Sequence, residues 1–328
     1  MISLSDFKKK QVAVIFFNDG EKMSFRNDNL IVTDKDNNIK LQCSCYRLFL
    51  IYVVGHCSIS SGLIQRAKKF GFFIALLTPS FRLYSIIGDY KDSNTLLKQN
   101  QYNYTDLEIG KRITENKIQN QAETLKIVRN KSDAQREAIS LLNEYSLRIK
   151  ECENLNEVMA FEGLSAKLYF KNHFNNIFWQ GRQPRVKRDI VNSSLDIGYT
   201  LLFTFIEAIL SSYGFDLYRG VLHRQFYMRK SLVCDMVEPF RPLIDMQIKK
   251  SINLKQIQDK DFIVRNNQYV LKWEKSSEYV RFLLSPILNN KEYIFEYIQS
   301  FYRAFMKNKS ADDFPVFDIW RVYGYNKL

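Results

Sequence analysis

Glu162 is a carboxylate with no cation at the spacing where a helix would supply one. It falls on a helix expected to start near Leu155, and the residues one turn away are Val158, Met159, Ser165 and Ala166. The face Leu155, Val158, Glu162, Ser165, Tyr169 is otherwise apolar or small. A carboxylate there needs a cation, a metal or a proton from another element, because an unpaired buried charge is very costly. A salt bridge to an arginine on another helix is the plainer reading. Glu207, among Phe203, Thr204, Leu210 and Ser211, equally lacks a cation at helical spacing.

His223 sits in the stretch RGVLHRQFYMRK at 219–230, with Arg219, Arg224, Arg229 and Lys230 around it. Positive crowding favours the neutral imidazole, the form that binds a metal. The bland alternatives are a structural histidine and a solvated basic face. Asp235 and Glu238 are three apart, so a helical turn would put both carboxylates on one side. Such a pair repels, and a divalent cation or a protonation shift relieves it; a surface pair is the alternative. Pro239 and Pro242 weigh against a regular helix interior. Arg241 and Asp245, four apart, are expected to pair with each other.

Each signal alone is weak. Taken together, Glu162, His223, Asp235 and Glu238 on a basic helical domain suggest a hard divalent ion held by carboxylates and one imidazole. That donor set suits Mg²⁺ or Mn²⁺ better than zinc. In a basic setting it suits phosphodiester chemistry, where an ion polarises a phosphoryl oxygen and stabilises the leaving oxygen.

The elements that must position these residues change character along the chain. The first hundred residues read as strands: Gln11 to Phe17 up to the turn Asn18-Asp19-Gly20, then Leu30 to Thr33 and Ile39 to Cys43. Residues 48–54 (LFLIYVV) look like a strand buried on both faces, and 72–77 (FFIALL) like another, with a helix between Ser60 and Gly71. One crossover fits, but an antiparallel sandwich or roll is the favoured arrangement. From Thr105 the period turns helical: Ile118, Ala122, Leu125 and Val128 share one stripe, and Ser132 with Gln135 forms a capping box. Asn154 with Glu157 opens another helix, which runs to about His173. Leu195 to Ser212 reads as a buried helix, Phe262 to Trp273 as a hairpin, and Glu278 to Lys307 as helix again. The expected class is α+β, with an N-terminal β-rich domain at 1–103 and an α-helical catalytic domain at 104–328.

Composition narrows the partners. The 328 residues are 46% hydrophobic and carry a formal charge of +13, which excludes a disordered tail and favours a polyanion such as nucleic acid. The longest apolar stretches read as too short to cross a bilayer, since Glu207 breaks the run from Leu201, and no secretory signal is expected. Five cysteines without any C-x-x-C fit a reducing cytoplasm.

Four stretches then resemble a known family. FEGLSAKLYF (161–170), LDIGYTLLFTFIEAIL (195–210), YRGVLHR (218–224) and SLVCDMVEPFRPLID (231–245) occur in the order and at about the separations of the CRISPR adaptation integrases, the first and most widespread CRISPR-associated protein. KIQNQAETL (117–125) resembles the start of that family's helical domain. The likeness is close over residues 110–250 and general over the first hundred. It implies a prokaryotic, cytoplasmic enzyme that inserts short DNA fragments as new spacers. A DNA 3′-hydroxyl would attack a phosphodiester at the end of a repeat in direct transesterification, and water in its place would give endonuclease activity. It implies metal ligands at Glu162, His223 and Glu238, and a further acidic catalytic position at Asp235. Partners implied are DNA (the prespacer and the CRISPR repeat), a second copy in a homodimer formed by the β-domain, and a small companion adaptation protein bridging two dimers. Asp196 departs from the pattern, where an amide is expected before the Gly-Tyr pair.

The loop GRQPRVKR (181–188), with Arg182, Arg185, Lys187 and Arg188, is a candidate phosphate contact, together with Arg224, Arg229 and Lys230. A flexible basic loop that touches nothing is the alternative. Two competing functions are a DNA-binding scaffold without turnover and a metal-dependent nuclease unrelated to CRISPR.

Overall fold

Strands with continuous apolar runs end up in the middle of a sheet, and the first compact unit follows that rule. A computed structural model describes residues 2–175, 179, 181–223 and 227–323. After the short helix α1 (Leu4–Lys8), strand β1 (Gln11–Phe16) precedes a meander of β2 (Lys22–Arg26), β3 (Asn29–Thr33) and β4 (Ile39–Ser44). Strand β5 (Leu48–Val54), helix α2 (Ser61–Phe70), β6 (Phe73–Leu77) and β7 (Leu83–Ile87) complete the unit's run of elements. The main sheet has the order β1-β5-β6-β7, with β1/β5 and β5/β6 parallel and only β6/β7 antiparallel.

The α+β class therefore holds, and the meander is antiparallel as expected, while the main sheet is mixed, with two parallel pairs. Every residue of β5 and β6 is buried, as expected of parallel strands covered on both faces. Each large aliphatic side chain so buried contributes about 1.5–3 kcal/mol. Helix α2 makes the β5-to-β6 crossover. Ser60 caps it by accepting from the Leu63 amide, and Gly71 ends it at φ 68°.

The second unit contains α3 (Thr95–Asn103), α4 (Glu108–Lys126), α5 (Asp133–Arg148), α6 (Leu155–His173), the first part of α7 (Ile190–Tyr213), α8 (Ser231–Val237) and α9 (Arg241–Asn253). The hairpin β8 (Phe262–Arg265) and β9 (Gln268–Leu271) follows, then α10 (Ser276–Asn289), α11 (Lys291–Met306) and α12 (Ile319–Tyr323). The division between units falls at Asn94/Thr95, and residues 207–215 group with the first unit. It precedes the expected 103/104 boundary because the polar stretch near Asn103 folds as α3.

Helix α5 has the expected capping box, and Asn154 caps α6 by accepting from the Glu157 amide at 3.1 Å. The hairpin turns on Asn266 and Asn267, at φ 48° and 59°. Helix α7 is longer than expected, starting at Ile190 rather than Leu195. By length and composition it could cross a membrane, yet 83% of its most apolar window is buried inside the fold.

Candidate metal centre

Helix α4 is buried on two sides, and that explains how a lysine comes to sit inside. Ile118, Ala122 and Leu125 pack with Ala138, Leu142, Val158 and Tyr169 in the core of α4, α5 and α6. Asn116, Lys117, Asn120, Gln121 and Thr124 form a second, polar stripe on α4, and all five are buried. Lys117 is 5% exposed, and its ammonium bridges two carboxylates from different elements. One is Glu162 of α6, which accepts a hydrogen bond from it; the other is Glu238, 2.5 Å away. The cation expected for Glu162 is thus a lysine from α4.

Glu238 starts a 3₁₀ turn (Glu238–Phe240) between α8 and α9. Pro239 and Pro242 lie in the first turns of new helical segments, where a missing N–H costs nothing. Arg241 pairs with Glu238 at 3.0 Å, and its guanidinium stacks on the Tyr199 ring at 4.6 Å. Burial opposes ionisation of Glu238, but Arg241 and Lys117 outweigh it and bring the carboxyl down to about 2. Arg241 is therefore engaged with Glu238 and Tyr199. Its expected partner Asp245 instead accepts the Tyr199 hydroxyl at 2.5 Å. Burial pushes the Asp245 carboxyl up to about 7, against the Tyr199 hydrogen bond and Arg241.

His223 is held by Asp235. One Asp235 oxygen accepts from the amides of Val221 and Leu222 at 2.7 and 3.0 Å. The other accepts from the His223 amide at 3.0 Å and meets the ring Nδ1 at 2.6 Å. A Cβ on Gly220 would lie 2.6 Å from an Asp235 oxygen, so only glycine fits there. Leu222 anchors the same loop in the α4–α6 core. Asp235 is fully buried and its oxygens face this loop, where they position the imidazole. Glu238, in the 3₁₀ turn that follows α8, meets Lys117 and Arg241 instead, so the two carboxylates have different partners in the fold. The Nδ1 contact with Asp235 leaves Nε2 as the ring nitrogen available to another partner.

Among the described residues no three His, Cys, Asp or Glu side chains stand together at liganding distance. Lys117 occupies the place between the two carboxylates. The donor chemistry nevertheless fits a divalent ion: a cation already stands between two hard carboxylate oxygens, and Asp235 buttresses the His223 imidazole through Nδ1.

The basic residues divide by job. Arg182 donates to Asn192 at 3.0 Å and to Asp196 at 2.6 Å, so its guanidinium is spent inside the fold. This contact also accounts for an aspartate at 196. Arg185 and Arg188 are exposed, while Lys187 is half-buried with its carbonyl bonded to the Tyr269 amide. Arg229 and Lys230 are half-buried just before α8, and Arg224 lies outside the described residues. Glu207 is fully buried and belongs to the other unit.

Sequence reasoning missed Lys117, Asn116 and Asn120. Asn120 donates to the carbonyls of Pro239 (3.1 Å) and Phe317 (2.9 Å), and it accepts from the Ile319 amide at 3.0 Å. Asn116 exchanges two bonds with Phe317, whose ring meets Phe240 at 4.5 Å. The segment before α12 thereby straps the turn that carries Glu238. The available signal was a second, polar 3–4 spacing along α4, since a helix with two buried stripes must be central.

A β-rich unit followed by a helical unit with this acidic site is the class of the CRISPR-associated adaptation proteins. The family described as CRISPR associated protein Cas1 matches residues 14–283, and the chain belongs to it. A CRISPR-associated endonuclease Cas1 from Francisella tularensis subsp. novicida is 29% identical over 234 residues, covering 68% of this chain and 73% of its own. Two solved structures share the fold at 21% identity. A casposase bound to integration product has a TM-score of 0.79, with 97% of each chain covered. A Cas6-RT-Cas1–Cas2 complex has 0.80, with 94% of this chain matching 36% of that longer one.

Proposed function

We propose that this protein is a divalent-metal-dependent DNA endonuclease and integrase that inserts short DNA fragments as new spacers into a CRISPR array. The observation that carries the reading is the pair of carboxylates, Glu162 and Glu238, gathered around one cation, in a unit that also holds the His223 imidazole buttressed by Asp235. Family membership and the endonuclease name of the Francisella relative support the same reading.

In this reading Glu162, Glu238 and His223 Nε2 hold Mg²⁺ or Mn²⁺. The bound ion supplies Lewis-acid polarisation of the scissile phosphate and stabilises charge on the leaving oxygen. Asp235 keeps the proton on Nδ1, so the other nitrogen is available as a lone pair. Arg241, fixed on Tyr199, orients Glu238. The reaction is transesterification: a DNA 3′-hydroxyl forms a new phosphodiester bond as the repeat-end bond breaks, and water as nucleophile gives cleavage instead. Arg185 and Arg188 contact DNA phosphates. The partners are the prespacer and repeat DNA, a second copy of this chain, and a small companion such as the Cas2 of the similar Cas6-RT-Cas1–Cas2 complex.

The test mixes the protein with branched, half-integrated DNA and Mn²⁺ and reads strand transfer on a denaturing gel. His223→Ala and Glu238→Ala should each abolish turnover while DNA binding persists. Unchanged turnover in either variant rejects the assignment. A wild type that binds the branched DNA but never cuts or joins it is a scaffold.

A further inference from the structure

We infer that Lys117 is a built-in counter-cation: its ammonium holds Glu162 and Glu238 together in the metal-free protein and competes with the divalent ion for those carboxylates. The inference rests on the reading that these two residues are metal ligands.

The argument starts from charge balance. Two cations, Lys117 and Arg241, face two carboxylates, Glu162 and Glu238. Lys117, Glu238 and Arg241 are all largely shielded from water, with side-chain exposures of 7%, 6% and 30%. Without Lys117, Glu162 and Glu238 would repel across α6 and the turn after α8, at a cost that low dielectric enlarges. A divalent ion entering this balanced site adds two positive charges, so one resident cation must withdraw.

Arg241 is the poorer candidate to leave. It is ion-paired to Glu238 and stacked on Tyr199, and Tyr199 is itself tied to Asp245. Lys117 has a flexible four-carbon stem, and among the described residues its ammonium meets the two carboxylates alone. Metal binding would thus exchange a lysine for an ion on the same oxygens, and the acidic pair would stay gathered in both states.

Three measurements test this on the full-length protein. First, Mn²⁺ titrated calorimetrically should bind Lys117→Met about tenfold more tightly than wild type, because the competing cation is gone. Lys117→Arg should bind no more tightly than wild type. Second, in EDTA, Lys117→Met should melt below wild type, and Mn²⁺ should raise its melting temperature by more than it raises that of wild type. Third, on wild type itself, reductive methylation read by mass spectrometry should label Lys117 severalfold faster in Mg²⁺ than in EDTA. The third measurement stands even where Lys117→Met fails to fold. Equal or weaker Mn²⁺ affinity in Lys117→Met, or equal labelling of Lys117 with and without Mg²⁺, overturns the inference alone, provided that His223→Ala loses Mn²⁺ binding. A wild type that binds no Mn²⁺ overturns the metal reading as well.

Discussion

The His223 imidazole and the Asp235 carboxylate form one unit, with Nδ1 2.6 Å from Oδ1 and the His223 amide bonded to the same oxygen at 3.0 Å. Ring orientation and backbone of the loop at 220–223 are therefore set by one buried acid. Asp235→Asn keeps the volume but weakens the charge-assisted bonds. It should cost about 1–3 kcal/mol of stability and about 10–100-fold in Mn²⁺ affinity. Chemical denaturation and calorimetry check the two effects. Gly220→Ala should produce the same pair of losses by steric contact with that carboxylate.

The strap before α12 reaches the site through Asn120. Asn120→Ala leaves the Pro239 and Phe317 carbonyls and the Ile319 amide without that partner. We expect a loss of about 1–3 kcal/mol in urea unfolding. Asn120→Asp should recover part of it, because the acceptor for the Ile319 amide survives. A variant as stable as wild type would mean the strap contributes nothing to the fold.

Asp245 makes stability depend on pH. Its folded carboxyl holds a proton up to about 7, against an ordinary value of 3.8, chiefly through burial. Folding therefore takes up a proton between those values. The contribution is complete below 3.8 and drains away as pH rises towards 7, by roughly 1.4 kcal/mol per unit at most. His173 works in the opposite sense: burial lowers its imidazole to about 3, so its contribution is full above 6.5 and is lost on acidification. Asp245→Asn should remove the first trend and leave the second. Melting temperatures of both proteins from pH 4 to 8 check this, and parallel curves would refute the assignment.

The basic loop at 181–188 should separate into two phenotypes. Arg185→Ala and Arg188→Ala, both at exposed positions, should weaken DNA binding and lower the salt slope by about 0.9 for each phosphate no longer neutralised. Arg182→Ala should instead lower thermal stability, since it removes the cation paired with Asp196 and one hydrogen bond of Asn192. Fluorescence anisotropy across a salt series distinguishes them. An Arg182 variant of normal stability with a reduced salt slope would reverse the assignment.

Much of this was legible in the primary structure because it is local. The caps at Ser132 and Asn154, the hairpin at Asn266-Asn267 and the buried strand at 48–54 each declare themselves within a few residues. The orphaned carboxylate at 162 also declared its need for a cation, because the cost of burying a bare charge does not depend on the fold. Which cation meets it depends on how helices pack. Lys117 is 45 residues away along the chain and reaches Glu162 from another helix. Helical spacing grouped Asp235 with Glu238 and Arg241 with Asp245. The 3₁₀ turn at Glu238 and the buried Tyr199 reassigned all four, since hydrogen-bond partners across elements are chosen by three-dimensional proximity and desolvation. Strand direction was decided the same way: two apolar strands and a helix fit either arrangement until the crossover packs. Residue types thus settled what chemistry the chain must accommodate, and only tertiary packing decided which side chain answers each charge.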